Sequence, residues 1–217
     1  DNNTGLGYRA LNANTSADDN TAVGFCSLAA NTTGASNTAV GSGALDSNTT
    51  GNNNIGVGAS AGQAITTGSS NTALGQNSLQ ATTTASNNTA IGLNSLYTNI
   101  TGAGNTGVGT SSLVLNTASN NTAVGFESLC KNSSGVQNTA LGFNALKSNT
   151  TANYNVAVGG NALLDNTTGT QNVALGDAAL ANNTTATCNT ALGHAAMETA
   201  TTGSCNTAVG RTALLAL

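Results

Sequence analysis

The sequence predicts an all-β fold, a parallel β-solenoid (β-roll) of about thirteen coils with seventeen residues each. Three observations support this prediction: a motif that recurs at a fixed period, a composition poor in helix formers, and the absence of proline and of Asn-Gly turns. The unit is represented by residues 37–53, which read NTAVGSGALDSNTTGNN. A single array is expected over residues 1–217, with a truncated last copy.

The first residue of every copy is asparagine, and a glycine follows four residues later. If each copy stacks on the previous one, about 4.8 Å away, like residues meet along columns. The leading asparagines would then form an amide ladder in which each side chain bonds to the coils above and below. The ladder is expected to include Asn20, Asn37, Asn54, Asn71 and Asn88.

Two columns carry large aliphatic residues. One includes Val23 and Val40, and the other includes Leu28 and Leu45. Two such side chains per coil bury too little apolar surface to offset the entropy lost when a whole coil becomes ordered. We therefore expect one column to line the coil and the other to face a partner chain, so that the protein self-associates.

Composition argues against several classes of function. The net charge is −4, only 6% of the residues are charged, and four Lys and Arg cannot form a phosphate-binding patch, so nucleic acid is not an expected partner. No apolar run approaches the length needed for membrane insertion. No catalytic, cofactor-binding or metal-ligating pattern is recognisable, so we expect no enzyme and no cofactor. The only histidine, His194, is interpreted as a surface side chain.

Cysteine and asparagine each offer a modification site. Cys188 and Cys205 are one period apart, a spacing that allows either a disulfide between neighbouring coils or two free thiols. Glycosylation sequons recur within the repeat, as at Asn31 and Asn48. Bulky glycans on every coil would collide, which favours Asn-Thr ladders over N-glycosylation and leaves O-linked sugars on threonine open.

The sixth residue of the repeat varies most, as expected for a column that faces solvent or a partner. Large aromatic residues in this column and near it are the expected exposed contacts: Tyr8, Phe25, Phe126, Phe143 and Tyr154. Threonine columns, such as the one through Thr21 and Thr38, would form regular hydroxyl arrays that could order water and bind ice. The simpler interpretation is that threonine suits β-ladders.

The stretch NTAVGSGAL at residues 37–45 resembles the head repeat of the YadA-like trimeric autotransporter adhesins. The complete unit is also similar to NTAVG repeat arrays in bacterial and phage tail-fibre-domain proteins. This resemblance covers essentially all of the chain and implies a left-handed β-roll, a homotrimer and a place in a surface or virion fibre.

The sequence therefore predicts a structural fibre or filament segment that is extracellular, on the cell surface or on a virion, and that serves adhesion or host attachment. Its expected partners are copies of itself, as a homotrimer or filament, and a host-surface glycan or protein. The alternative is a β-solenoid module that binds glycan or ice directly. The two differ in their surfaces, because variable exposed columns suit a fibre and one uniform flat face suits ice.

Overall fold

The computed structural model describes residues 2–215. Within them the chain forms two compact units, which divide in sequence between Asn105 and Thr106. The predicted single array over 1–217 also takes in residues 1, 216 and 217, which lie outside the described part. Both units are built from the same coil, a three-residue strand followed by turns and bends, and no helix occurs in residues 2–215.

The strands of the first unit are β1 (Thr4–Leu6), β2 (Thr21–Val23), β3 (Thr38–Val40), β4 (Ile55–Val57), β5 (Thr72–Leu74) and β6 (Thr89–Ile91). The strands of the second unit are β7 (Thr106–Val108), β8 (Thr122–Val124), β9 (Thr139–Leu141), β10 (Val156–Val158), β11 (Val173–Leu175), β12 (Thr190–Leu192) and β13 (Thr207–Val209). Within each unit, successive strands pair in parallel and in chain order.

The register places like residues on like residues. Val40 pairs with Val23 on one side and with Val57 on the other. The predicted parallel β-solenoid with seventeen-residue coils is therefore confirmed, with one sixteen-residue coil between Thr106 and Thr122, and the thirteen strands delimit about twelve turns. Its predicted left-handedness remains a prediction.

The column of glycines that follows the strands adopts a backbone that other residues rarely take. Gly41 has φ of 134°, and a Cβ on it would lie only 2.6 Å from the carbonyl oxygen of Gly58 in the next coil. Positive φ and close backbone approach both favour glycine at this column. The glycines thus allow the coil to bend directly after each strand while neighbouring coils remain in contact.

One aliphatic column fills the interior of the coil. We call it the inner Leu column, and its members include Leu28, Leu45, Leu96 and Leu146, all completely buried. Each of them has φ near +50°, in the left-handed region that β-branched residues avoid. Across the whole column the residue is leucine, methionine or glycine, and never valine or isoleucine.

Gly62 and Ile65 show how tightly this interior is packed. Gly62 stands where other coils have leucine, and a Cβ on it would lie 3.0 Å from the Cδ1 of Ile65 and 2.8 Å from the Cδ2 of Leu45. Ile65 is completely buried and belongs to the same apolar cluster as Leu45. The side chain of Ile65 therefore occupies the space that the missing leucine leaves.

Candidate functional site

The leading asparagines form a ladder, here called the lead Asn column. The backbone N–H of Asn37 donates to Oδ1 of Asn20 at 2.9 Å, and Asn37 Nδ2 donates across its own coil to the carbonyl of Gly51 at 2.9 Å. The five predicted members are all completely buried, and the backbone N–H of each donates to Oδ1 of the preceding lead asparagine: Asn20, Asn37, Asn54, Asn71 and Asn88. The column thus joins coil to coil mainly through a backbone N–H, with amide-to-amide bonds in addition at some steps.

A second Asn column runs along the sequon asparagines. Here amide bonds directly to amide: Asn48 Nδ2 donates to Asn31 Oδ1 at 2.9 Å, and Asn183 Nδ2 donates to Asn166 Oδ1 at 2.8 Å. All four side chains are completely buried. A side chain enclosed in this way has no room for a glycan, so the geometry favours the ladder over N-glycosylation at these residues.

Two non-polar residues interrupt the second Asn column. Ile65 follows Asn48, Ala200 follows Asn183, and Oδ1 of each of these two asparagines is buried without a hydrogen-bond donor. The lead Asn column contains no such substitution in any copy. The difference follows from the geometry, because within each unit a lead asparagine accepts from the backbone N–H of the next lead asparagine, as Asn155 does from Asn172.

The other aliphatic column points away from the interior. It is formed by the third residue of each strand and is here called the outer aliphatic column. Leu141, Leu175 and Leu192 are 46%, 42% and 42% exposed, whereas the leucines of the inner Leu column between Leu28 and Leu180 are completely buried. The first strand residue points the same way and is threonine, isoleucine or valine in every coil.

Together these two outward positions make a sheet face without a single charged residue. Strand residues alternate between faces, so the middle alanine or glycine of each strand points inward, as Ala39 and Ala140 do. The outward threonines, among them Thr38 and Thr139, are half-buried or exposed. In each unit, a threonine or β-branched aliphatic residue alternates with a second aliphatic residue along this face.

The variable column carries two pairs of stacked aromatic rings and is here called the ring column. The rings of Tyr8 and Phe25 are 5.4 Å apart, and those of Phe126 and Phe143 are 5.7 Å apart. All four side chains are exposed, as predicted for contact residues. Tyr154 is also exposed but lies in a different column, at the last residue of its repeat. A contact role for these residues remains a prediction.

The ring column becomes charged towards its last coils. His194 Nε2 lies 3.7 Å from Asp177 Oδ2, and both side chains are more than half exposed. This acidic neighbour was missed in the sequence because Asp177 lies one period upstream of His194 rather than beside it. The surface location expected for His194 agrees with its exposure.

All four cysteines have free thiols in the structure. Cys188 and Cys205 are exposed and occupy the same position in successive coils. A disulfide between them, one of the two alternatives that the spacing allows, remains a prediction. Cys130 is partly enclosed, and burial together with the nearby Glu127 carboxylate raises the pKa of its thiol. Lys147 Nζ lies 2.5 Å from Glu127 Oε2, and this bond raises the pKa of the lysine.

Within residues 2–215, no group of three or more His, Cys, Asp or Glu side chains is arranged to hold a metal ion. The same part of the chain contains no helix long and apolar enough to cross a membrane. Comparisons with protein-family models, curated proteins and solved structures gave no match. The structure shows the β-solenoid and its Asn ladders. The resemblance to adhesin and tail-fibre repeats is based on the repeat motif alone.

Proposed function

We propose that this protein is a structural segment of an extracellular or virion-surface fibre, and that its sheet face packs against other copies of the chain. The proposal depends on the outer aliphatic column, whose side chains are exposed to solvent although those of the inner Leu column between Leu28 and Leu180 are buried. A fibre of this kind would serve adhesion or host attachment, and no catalytic role is assigned to it.

Burial of apolar surface is the driving force for this association. Soluble monomers rarely expose contiguous apolar patches larger than a few hundred Å². Val40, Val57 and Ile91 are 36%, 37% and 37% exposed and lie on strands of one sheet, without a charge between them. Covering such a column gains roughly 25 cal/mol for each Å² of apolar surface removed from water.

A second copy is the occupant that fits this face best. The face has no charged group to complement a charged partner, and sheets pack face to face through rows of apolar side chains such as the outer aliphatic column. Three chains around one axis would follow the adhesin resemblance, whereas a pairwise or open arrangement would give other filaments. The chain itself supplies the stiffness, because backbone bonds and the lead Asn column join each coil to the next within a unit.

Lysine substitutions on the sheet face test the proposal. Leu175→Lys places a charge in the outer aliphatic column, and Thr168→Lys places the same charge on an exposed turn outside the face. In sedimentation velocity, we expect the unaltered chain and Thr168→Lys to be assemblies, and Leu175→Lys to dissociate to the 21.0 kDa chain. Circular dichroism checks that both variants keep the β fold. Equal assembly of the two lysine variants would overturn the assignment of this face.

Ice binding is a second candidate, favoured by the threonines on the same face. Thr21, Thr38, Thr72 and Thr89 form a regular column beside the outer aliphatic column, on an uncharged sheet face. Ile55, Val156 and Val173 interrupt the hydroxyl array. Thermal hysteresis with shaped ice crystals, from a chain that is monomeric in solution, would favour this candidate over the fibre. Assembly without hysteresis would remove it.

A further inference from the structure

The ring column contains a gap of one coil in the second unit. Three successive coils carry Phe143, Gly160 and Asp177 at this position. The backbone fixes their register, because Asn161 N–H donates to the Phe143 carbonyl at 2.8 Å and Ala178 N–H donates to the Gly160 carbonyl at 2.9 Å. Along the column, the Phe143 ring is therefore followed by a glycine without a side chain and then by the Asp177 carboxylate. Backbone hydrogen bonds hold these three positions in line.

One face of the Phe143 ring is left uncovered. Its other face stacks on Phe126, with the rings 5.7 Å apart and inclined by only 12°. Towards the following coil the neighbour is Gly160, which has no side chain to cover the ring. Phe143 is accordingly 54% exposed. This ring face is an apolar platform open to solvent.

The Asp177 carboxylate lies on the other side of the gap. Its Oδ1 is 2.8 Å from the place that a Cβ on Gly160 would occupy, so the carboxylate leans into the empty position. Its Oδ2 lies near His194 Nε2, at 3.7 Å. Coils spaced about 4.8 Å apart put roughly 10 Å between the Phe143 and Asp177 backbones. A ring stacked on Phe143 therefore lies at the level of Gly160, and hydroxyls on its opposite face point towards the carboxylate.

We infer that Phe143, Gly160 and Asp177 form a binding subsite for a neutral pyranose ring. The apolar face of the sugar stacks on Phe143, and its hydroxyls donate to the Asp177 carboxylate. A cationic ligand fits less well, because Arg211 and, when protonated, His194 add positive charge in the same column. Sugar binding at this subsite would supply a ligand class for the proposed surface role, and it does not require that the chain self-associates.

The first unit offers a natural control. Its aromatic pair, Tyr8 and Phe25, stacks in the same way and is also exposed. Ser42 follows Phe25 in the ring column, and no carboxylate occurs in that column within the first unit. The first unit therefore has an exposed aromatic ring but no carboxylate to accept hydrogen bonds from sugar hydroxyls. We expect no sugar to bind there.

Saturation-transfer NMR on the full chain tests the subsite with methyl β-D-galactopyranoside, methyl α-D-mannopyranoside and N-acetyl-D-glucosamine as probes. We expect transfer to at least one probe, and about tenfold weaker binding after Phe143→Ser or Asp177→Asn. Phe25→Ser is the matched control and should leave binding unchanged. Circular dichroism verifies that the variants remain folded.

Two outcomes would overturn the inference: no transfer to any of the three sugars, or equal loss of binding in Phe25→Ser and Phe143→Ser. Sedimentation of the same samples reports on self-association separately. A chain that assembles without binding sugar contradicts the subsite alone, and a monomer that binds sugar contradicts the fibre proposal alone.

Discussion

The inner Leu column and the outer aliphatic column have similar chemistry and opposite environments. Leu146 and Leu141 are five residues apart in the same copy, yet Leu146 is completely buried and Leu141 is 46% exposed. Leu141 ends a strand, where branched aliphatic residues are favoured, and Leu146 has φ of 53°. The coil thus encloses one aliphatic side chain per turn and leaves the second for another surface.

This difference shows how a thin coil divides its apolar residues. The remaining interior is largely alanine, serine and asparagine, so it is held together as much by hydrogen bonds as by apolar contact. The outer aliphatic column cannot add to the stability of a single chain unless something covers it. Perturbing the two columns, and the backbone between them, should therefore affect different properties of the protein.

The largest effect is expected at the glycine that separates the two columns. Gly142 has φ of 145°, and a Cβ there would lie 2.3 Å from the Gly159 carbonyl oxygen. Gly142→Ala should lower the free energy of unfolding by about 4 kcal/mol or more, as measured by urea denaturation. Gly160→Ala is the control, because its new Cβ would meet only the movable end of the Asp177 side chain. Similar losses in both variants would contradict the proposed backbone clash.

Truncation of the two leucines tests the comparison itself. Leu146→Ala creates a cavity in a sealed interior and should cost about 2–5 kcal/mol of unfolding free energy. Leu141→Ala removes a side chain that is already half in water, so it should cost less than about 1 kcal/mol in the dissociated chain. Urea denaturation at a chain concentration low enough to prevent assembly gives both values. Equal costs would mean that the outer column is not open in the single chain.

The fixed period was sufficient to predict the columns, but not which aliphatic column lies inside. A signal was present: the outer column accepts valine, isoleucine and leucine, as in Val57 and Ile91, whereas the inner column accepts no β-branched residue. That restriction reflects the left-handed backbone of the inner leucines.

The ladder partners were predicted only in part. The lead Asn column was expected to bond to the coils above and below, which is confirmed, but the sequence did not indicate that its main partner is the backbone N–H of the next lead asparagine. Sequence period fixes which residues are neighbours, but the atom that each amide reaches depends on the turn geometry. The aromatic stacks and the contact between His194 and Asp177 follow from the same period, once the ring column is compared coil by coil.

A smaller difference is expected between the two Asn columns. Asn155→Ala leaves the buried backbone N–H of Asn172 without its acceptor, now 2.9 Å away, and should cost about 2–3 kcal/mol. Asn183→Ala removes the Nδ2 that donates to Asn166 Oδ1 and to the Ala186 carbonyl. It should cost about 1 kcal/mol, because a buried oxygen that lacks a donor is tolerated better than an unpaired N–H and the Ala186 carbonyl keeps the bond from Asn172 Nδ2. Thermal unfolding monitored by circular dichroism compares the two variants. A greater loss for Asn183→Ala would contradict the assigned roles.

Thiol reactivity should show the smallest effect, without a change of fold. Cys188 and Cys205 are exposed and should react with iodoacetamide before Cys130, whose raised thiol pKa leaves less thiolate at neutral pH. With oxidised glutathione as the oxidant, the two exposed thiols are expected to form one disulfide as glutathione is reduced. Peptide mapping by mass spectrometry identifies both products. Faster labelling of Cys130 would contradict the burial of its thiol.

Light scattering of the unaltered chain tests most directly whether another copy covers the outer aliphatic column. The self-association proposal predicts a molar mass that is a multiple of 21.0 kDa, or that grows with concentration as filaments form. A mass of 21.0 kDa at every concentration would contradict it.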